Sequence, residues 1–341
     1  MTSPINVALV GYGNAGKTLH APLISACPDL RLHTVVTSRP ADLHADRPEA
    51  RAVATLDEAL ADPAIDLVVI ATPDAYHAQQ AGAALDAGKA VVVDKPFALS
   101  VADAARLVDL AKAKGLLLSV FQNRRWDADF LALRAEIASG RLGDIVTYES
   151  HYDRYRPTVR DRWRDAEGAG VWFDLAPHLI DQVFVLFGRP LGITLDLAIQ
   201  REGGRSPDWA HAILRYPNLR VVLNAAMLIS APDIRFAVHG TRASWLKSGL
   251  DTQEEQMKSG MVVGAEGWGI DPLPAILVDG ETGDRRPAPG PVGDYPAYYA
   301  AIAKALKGEG PNPVPPSEAL MVMEVLEAGM ESSRTRAEVL L

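Results

Sequence analysis

The apolar residues in the first third of the chain fall in short runs, and the stretches between them have helical spacing. INVALV (residues 5–10), LHTVVTS (32–38), IDLVVIAT (65–72), KAVVVDKPF (89–97) and LLLSVF (116–121) read as strands. Runs of this kind suit a parallel sheet buried on both faces. Between them the pattern predicts helices from Ala15 to Ala26, at 56–62, at 75–88 ending on Gly88, and at 100–114 closed by Gly115. A glycine just beyond a helix is a common terminator because it accepts the left-handed conformation. Strand and helix in alternation predict a doubly wound parallel sheet, the Rossmann arrangement.

After about residue 123 the rhythm changes. A helix at 127–139 ends at Gly140, and strand-like segments then dominate, at 144–152, 192–200, 211–216, 219–228 and 234–240. Pro217-Asn218 separates two of these as a hairpin turn would. One helix, at 174–187, interrupts the series, and helices at 295–307 and 317–333 close the chain. Pro- and Gly-rich residues at 280–293 and 308–316 read as loops. The expected fold is α/β: an N-terminal Rossmann domain at 1–122, then an α/β domain at 123–341 built on a large, mostly antiparallel sheet. The C-terminal helices are candidates to pack back on the first domain.

Composition narrows the function classes. With 34 basic and 43 acidic residues the net charge is −9, which argues against a broad nucleic-acid or membrane surface. Cys27 is the only cysteine, so no intrachain disulfide can form, and a reducing, cytoplasmic setting is expected. The apolar run near the N-terminus has no basic segment ahead of it and reads as a first strand, not a signal peptide. No stretch is long enough and apolar enough to predict a membrane span.

GYGNAGKT at 11–18 fits two phosphate-binding patterns. Gly11-Tyr12-Gly13-Asn14-Ala15-Gly16 is a dinucleotide fingerprint, whereas Gly11 to Thr18 also spells the phosphate loop of an ATPase or GTPase. Three features favour the dinucleotide. The second strand ends at Thr37-Ser38-Arg39, where such folds meet the adenosine ribose; hydroxyls and a guanidinium there suit a 2′-phosphate, hence NADP. Asp94 is followed by Lys95-Pro96, a lysine that an ATPase has no use for and a dehydrogenase has. Near residue 174 the chain supplies acid–base groups, Asp174 and His178, which hydride transfer needs.

GYGNAGKTLHAPL, IDLVVIATPDAYH, AGKAVVVDKPF, LLLSVFQNRRWDADF, RDRWR and FDLAPHLIDQ, in this order and spacing, resemble the Gfo/Idh/MocA oxidoreductases, and among them the NADP-dependent scyllo-inositol dehydrogenase branch. The resemblance runs from Val7 to about Arg334 and is most specific at Asp94-Lys95-Pro96 and the Asp174/His178 pair. It implies NADP as cofactor and a cyclic polyol or sugar as substrate, scyllo-inositol with its ketone first among them. It also implies a homodimer or homotetramer formed through the open C-terminal sheet. A dehydrogenase of another sugar or a dihydrodiol, or a non-catalytic dinucleotide-binding sensor, stays open.

Oxidising a secondary alcohol needs a group to take the hydroxyl proton, and a histidine suits it because it titrates near neutrality. His178 is the candidate base, with Asp174 one helical turn earlier to orient it or to hold a neighbouring hydroxyl. From the residues alone, Asp174 could equally be a helix cap with Pro177 in the first turn, and His178 a core histidine. Lys95 is a compact cation able to stabilise a developing alkoxide. The resemblance implies a cis Lys95–Pro96 bond, and cofactor contacts from Thr72, Pro73, His77, Asp94, Lys95, Pro96, Asn123, Arg124, Trp163 and Arg164. It places Arg125, Tyr152 and Asp153 with Lys95, Asp174 and His178 on the substrate side, and residues 153–165 as a cover. Tyr295, Tyr298 and Tyr299 read as packing anchors. No group has metal-ligand spacing, so metal-free chemistry is expected.

Overall fold

The computed structural model describes residues 3–159, 170–231 and 233–341. Trp163 and Arg164, with the rest of residues 160–165 of the expected cover, lie outside the described residues. The chain forms two compact units. The first comprises Met1–Trp126, Gln253–Gly269 and Asp294–Leu320; the second comprises Asp127–Thr252, Ile270–Gly293 and Met321–Leu341.

In the first unit, six parallel strands are β1 (Ile5–Val10), β2 (Leu30–Val36), β3 (Arg51–Val53), β4 (Leu67–Ile70), β5 (Ala90–Val93) and β6 (Leu118–Val120). Their order is β3-β2-β1-β4-β5-β6. This is the dinucleotide-binding order, whose direction reverses between β1 and β4 and leaves a crevice at the strands' carboxyl ends. The apolar runs explain the burial: Val7–Val10, Leu67–Ile70 and Val91–Val93 are almost wholly inaccessible. One π-helical turn (Gly16–His20) leads into α1 (Ala21–Ala26); α2 (Pro40–Asp46) and α3 (Leu56–Leu60) follow. Next come α4 (His77–Asp86) and α5 (Val101–Lys114). Helix α5 is capped by the Ser100 side chain, which accepts from the Asp103 amide, and stopped by Gly115 at φ 64°.

In the second unit, α6 (Ala128–Ala138) precedes β7 (Ile145–Asp153), and α7 (Val171–Phe187) precedes β8 (Gly192–Ala198), β9 (Trp209–Arg215) and β10 (Arg220–Ala226). β11 (Phe236–Gly240) and β12 (Ala243–Lys247) continue the sheet. Helix α8 (Gln253–Lys258) belongs to the first unit, and β13 (Ala275–Asp279) and β14 (Arg285–Ala288) to the second. α9 (Pro296–Leu306), α10 (Pro316–Thr335) and β15 (Val339–Leu340) end the chain. The nine-stranded sheet runs β14-β13-β12-β11-β7-β10-β9-β8-β15 and is antiparallel except where β7 meets β10. Alternation along β7 buries Tyr148, Ser150 and Tyr152 on the face that carries α7, and sends Glu149, His151 and Asp153 to the other. Register places Val222, Asn224, His211 and Ile213 on that second face.

Two expectations are corrected here. Residues 280–293 are not loop throughout, because β14 pairs with β13 there. Its Pro287 is tolerated at a sheet edge, and the density of proline and glycine across 280–293 is what made the segment read as a loop. Helix α7 starts at Val171 behind Gly170, so Asp174 lies inside the first turn and is not the cap; Pro177 is then interior. Gly170 serves because its φ is 106° and a Cβ there would lie 2.5 Å from the Pro207 carbonyl oxygen.

Candidate active site

The turn after β1 is shaped by glycines whose roles differ. Gly11 has φ 99°, and a Cβ on it would come 2.8 Å from the Ala71 carbonyl oxygen. A Cβ on Gly16 would lie 2.0 Å from the Gly11 carbonyl oxygen, so only glycine lets the helix start this close to β1. Around Gly13 there is nothing within 4 Å. Tight turn, open middle and close helix contact are what a dinucleotide pyrophosphate needs, so this cradle fits the cofactor. Asn14 and Ala15 complete the turn, and Lys17 N donates to the Gly13 carbonyl at 2.9 Å.

Lys17 and Thr18 do not form a phosphate loop. Lys17 Nζ pairs with Asp46 at 2.7 Å, and the Thr18 hydroxyl donates to the Asn14 carbonyl. Tyr12 donates its phenol to the same Asp46 at 3.2 Å; burial, then Asp46, push its pKa up to about 12. Arg39 sits where sequence spacing put it: its Nη2 donates to the Tyr12 carbonyl at 2.7 Å, against the glycine turn. Its backbone N–H donates to Thr37 Oγ1 at 3.0 Å, and Ser38 lies between them. Asp42, in the first turn of α2, lies 3.6 Å from Arg39 Nη1 and offers it a counter-charge.

At the carboxyl ends of β4 and β5 a buried set converges within the first unit. The Thr72 hydroxyl donates to Gln80 Oε1 at 2.7 Å, and Pro73 opens a single 3₁₀ turn. His77 is buried, not on a helix surface: its Nδ1 lies 2.7 Å from the Pro96 carbonyl oxygen and its Nε2 2.9 Å from that of Thr72. A neutral imidazole has one N–H to give, so it donates to one of these two carbonyl oxygens, and which one depends on the tautomer. The Lys95–Pro96 peptide is cis. Asp94 Oδ1 accepts from the Lys95 amide at 2.8 Å, and Asp94 Oδ2 lies 3.6 Å from His20 Nε2. Burial alone would push the Asp94 carboxyl up, but His20, His77 and Lys95 around it hold it below the usual carboxylate range. His20 is itself fixed by Tyr299 of α9, whose hydroxyl is 2.7 Å from its Nδ1.

Asn123, Arg124 and Arg125 form a buried 3₁₀ turn after β6. Arg124 pairs with Glu254 and donates to the Tyr295 hydroxyl at 3.3 Å. Arg125 donates to Glu318 at 2.7 Å and to the Pro313 carbonyl at 3.1 Å. These contacts give both guanidiniums structural work that the sequence did not show.

In the second unit His178 and Asp174 stand one turn apart on α7, and His178 is buried. Tyr152, wholly buried, faces the His178 ring at 6.5 Å between centroids. Asp153 lies on the opposite face of β7, accepting from Asn224 Nδ2 at 2.7 Å and lying 3.1 Å from His151 Nδ1. Tyr152 and Asp153 therefore leave the strand on opposite sides, which consecutive positions must do. Behind Tyr152, Arg235 is buried with Asp129, its Nε 3.0 Å from Asp129 Oδ2. Burial alone would weaken the arginine's hold on its proton; Asp129, together with Tyr152, Asp127 and Tyr148, more than offsets this. Among the described residues no group of His, Cys, Asp and Glu is arranged to hold a metal, and no helix is long and apolar enough to cross a membrane.

Sequence reasoning missed His20, Tyr299's bond to it, Gln182 and Arg235. Only His20 carried a local signal, as a histidine four residues past Gly16 in an otherwise apolar helix face. The others act across long sequence separations.

Comparison with known proteins gives a consistent result. The oxidoreductase family's NAD-binding Rossmann fold matches residues 5–122, and its C-terminal alpha/beta domain matches residues 134–341. The chain is 49% identical to the uncharacterized oxidoreductase YdgJ of Escherichia coli, with all of both chains covered. It is 36% identical to the scyllo-inositol 2-dehydrogenase (NADP(+)) IolW of Bacillus subtilis, covering 99% of this chain and 96% of that one. The solved structure of a Yersinia pestis protein assigned to the oxidoreductases superposes with a TM-score of 0.97 at 45% identity, covering 100% of this chain and 98% of the other.

Proposed function

The chain belongs to the Gfo/Idh/MocA oxidoreductase family, and from that premise we propose that it transfers hydride between NADP and a secondary alcohol of a cyclic polyol or sugar. The substrate we favour is scyllo-inositol, interconverted with its ketone. What carries the reading is the residue set: Lys95 closing β5, and Asp174 with His178 one turn apart on a helix. A full-length relative bearing that activity in its name supports it.

The glycine turn at 11–16 would hold the pyrophosphate, and Thr37, Ser38 and Arg39 the adenosine 2′-phosphate. Thr72, Pro73, the Asp94–Pro96 corner and Asn123 would line the remainder, with the His77 ring set between the Thr72 and Pro96 carbonyls. Bound there, the cofactor would supply the hydride acceptor at C4 of its nicotinamide. Lys95 Nζ stabilises the alkoxide that forms as the hydroxyl proton leaves. A ring nitrogen of His178 takes that proton and returns it in the reverse direction, while Asp174 orients the imidazole or a neighbouring hydroxyl. The carbon that loses hydride becomes the ketone. Apart from Lys95 and Asn123, residues 1–122 then serve the cofactor and 123–341 the substrate, in a cytoplasmic enzyme without a metal.

The deciding experiment is initial-rate NADP reduction with scyllo-inositol, myo-inositol and an aldose panel, repeated with NAD and with Arg39→Ala. Rapid turnover with scyllo-inositol and NADP is expected, and Arg39→Ala should lose most of the preference for NADP. Equal losses with NAD and NADP would remove Arg39 from the 2′-phosphate site. No turnover on any substrate, with NADP still bound, would replace this reading with a sensor or a different alcohol.

A further inference from the structure

We propose that Arg235 is a positioning residue for His178, acting through Tyr152 and Gln182; the proposal rests on His178 being the proton acceptor. The Arg235 side chain is 1% exposed, and its fork is spent in several directions. Nε donates to Asp129 Oδ2 at 3.0 Å, Nη1 to Ser150 Oγ at 2.7 Å and Nη2 to Gln182 Oε1 at 3.0 Å. The guanidinium carbon lies 4.6 Å from the centroid of the Tyr152 ring and 4.0 Å from that of Phe236. Two of these partners flank His178. Tyr152 packs beside its ring, and Gln182 follows it by one turn on the same face of α7.

Three physical points make this more than packing. A buried ion pair is a poor source of stability, since apolar residues of the same volume commonly do as well. The planar guanidinium offers donors at fixed angles, which a lysine cannot reproduce. And the turn of α7 that carries His178 contains Pro177, which has no N–H to give to the carbonyl of residue 173. With one intrahelical bond missing there, contacts from outside the helix have more say in where the imidazole points. Arg235 supplies such a contact to α7 while anchored to α6 through Asp129 and to β7 through Ser150.

The test uses Gln182→Met, which keeps the volume and the Arg235–Asp129 pair but removes the acceptor, and Arg235→Lys, which keeps the charge and loses the fork. Each is combined with His178→Ala. Gln182→Met should lower kcat about tenfold with KM for NADP nearly unchanged, yet add less than about twofold in the His178→Ala background, because residues acting as one unit are not additive. Arg235→Lys should behave the same way. An equal loss in both backgrounds, or none in the wild-type background, overturns the proposal. A second readout needs no turnover: the His178 imidazole NMR signal, identified by its loss in His178→Ala, should be single in the wild type and broadened or doubled in both variants. An unchanged signal also overturns it. A wild-type protein inactive on every alcohol would instead defeat the dehydrogenase reading, and the imidazole signal would still decide whether Arg235 positions His178.

Discussion

Asp94 shows how a residue's neighbours set its chemistry. Its carboxylate is held ionised by His20, His77 and Lys95 against the pull of burial. A carboxyl whose folded pKa lies below its unfolded value, about 3.9 for aspartate, stabilises the fold fully above that value. The contribution is lost as pH falls through the folded value. Melting temperature measured from pH 7 down to 3 should therefore drop more steeply for the wild type than for Asp94→Asn. Parallel curves would show that Asp94 is not held this way. Asp46, Asp103, Asp279 and Glu331 shift in the same direction but are present in both proteins and cancel in the comparison.

Among elements, the turn between β1 and its helix is the most constrained. Gly16→Ala forces a Cβ against the Gly11 carbonyl, and such overpacking costs about 1–3 kcal/mol or more. Gly13→Ala meets nothing within 4 Å. The expected contrast is a lowered melting temperature for Gly16→Ala and an unchanged one for Gly13→Ala, with NADP binding weakened in both. An equally stable Gly16→Ala would mean that the helix start can retreat. These glycines were legible because a turn of this kind admits no other residue at two of three positions. Helix α7 was legible in extent but not at its start, since Gly170 caps it by packing against Pro207, thirty-seven residues on. Strands β12 to β14 escaped notice because each is only four or five residues long, too short for alternation to stand out, and β14 is also an edge strand carrying Pro287.

At the scale of the molecule, the proposed homo-oligomer turns on the sheet face that β7, β9 and β10 turn away from α7. Ile213 stands on that face, 39% exposed, beside Val222 and Asn224. If two copies meet there, Ile213→Asp places a charge in an apolar contact. The wild type should scatter light as a dimer or tetramer and Ile213→Asp as a smaller species, with the same circular dichroism. A monomeric wild type would end the idea.

The sequence by itself determined the parallel sheet, the glycine turn, the place of Arg39 and the spacing of Asp174 and His178. Each is a local matter of apolar runs, backbone conformation or helical period, which neighbouring residues suffice to specify. Tertiary structure alone decided that His77 turns inward, that Arg124 and Arg125 spend their charge on Glu254 and Glu318, and that Arg235 stands behind Tyr152. A buried polar side chain takes whichever partner the fold brings to it. When that partner lies more than a hundred residues away, as Asp129 does from Arg235, no local pattern can announce it.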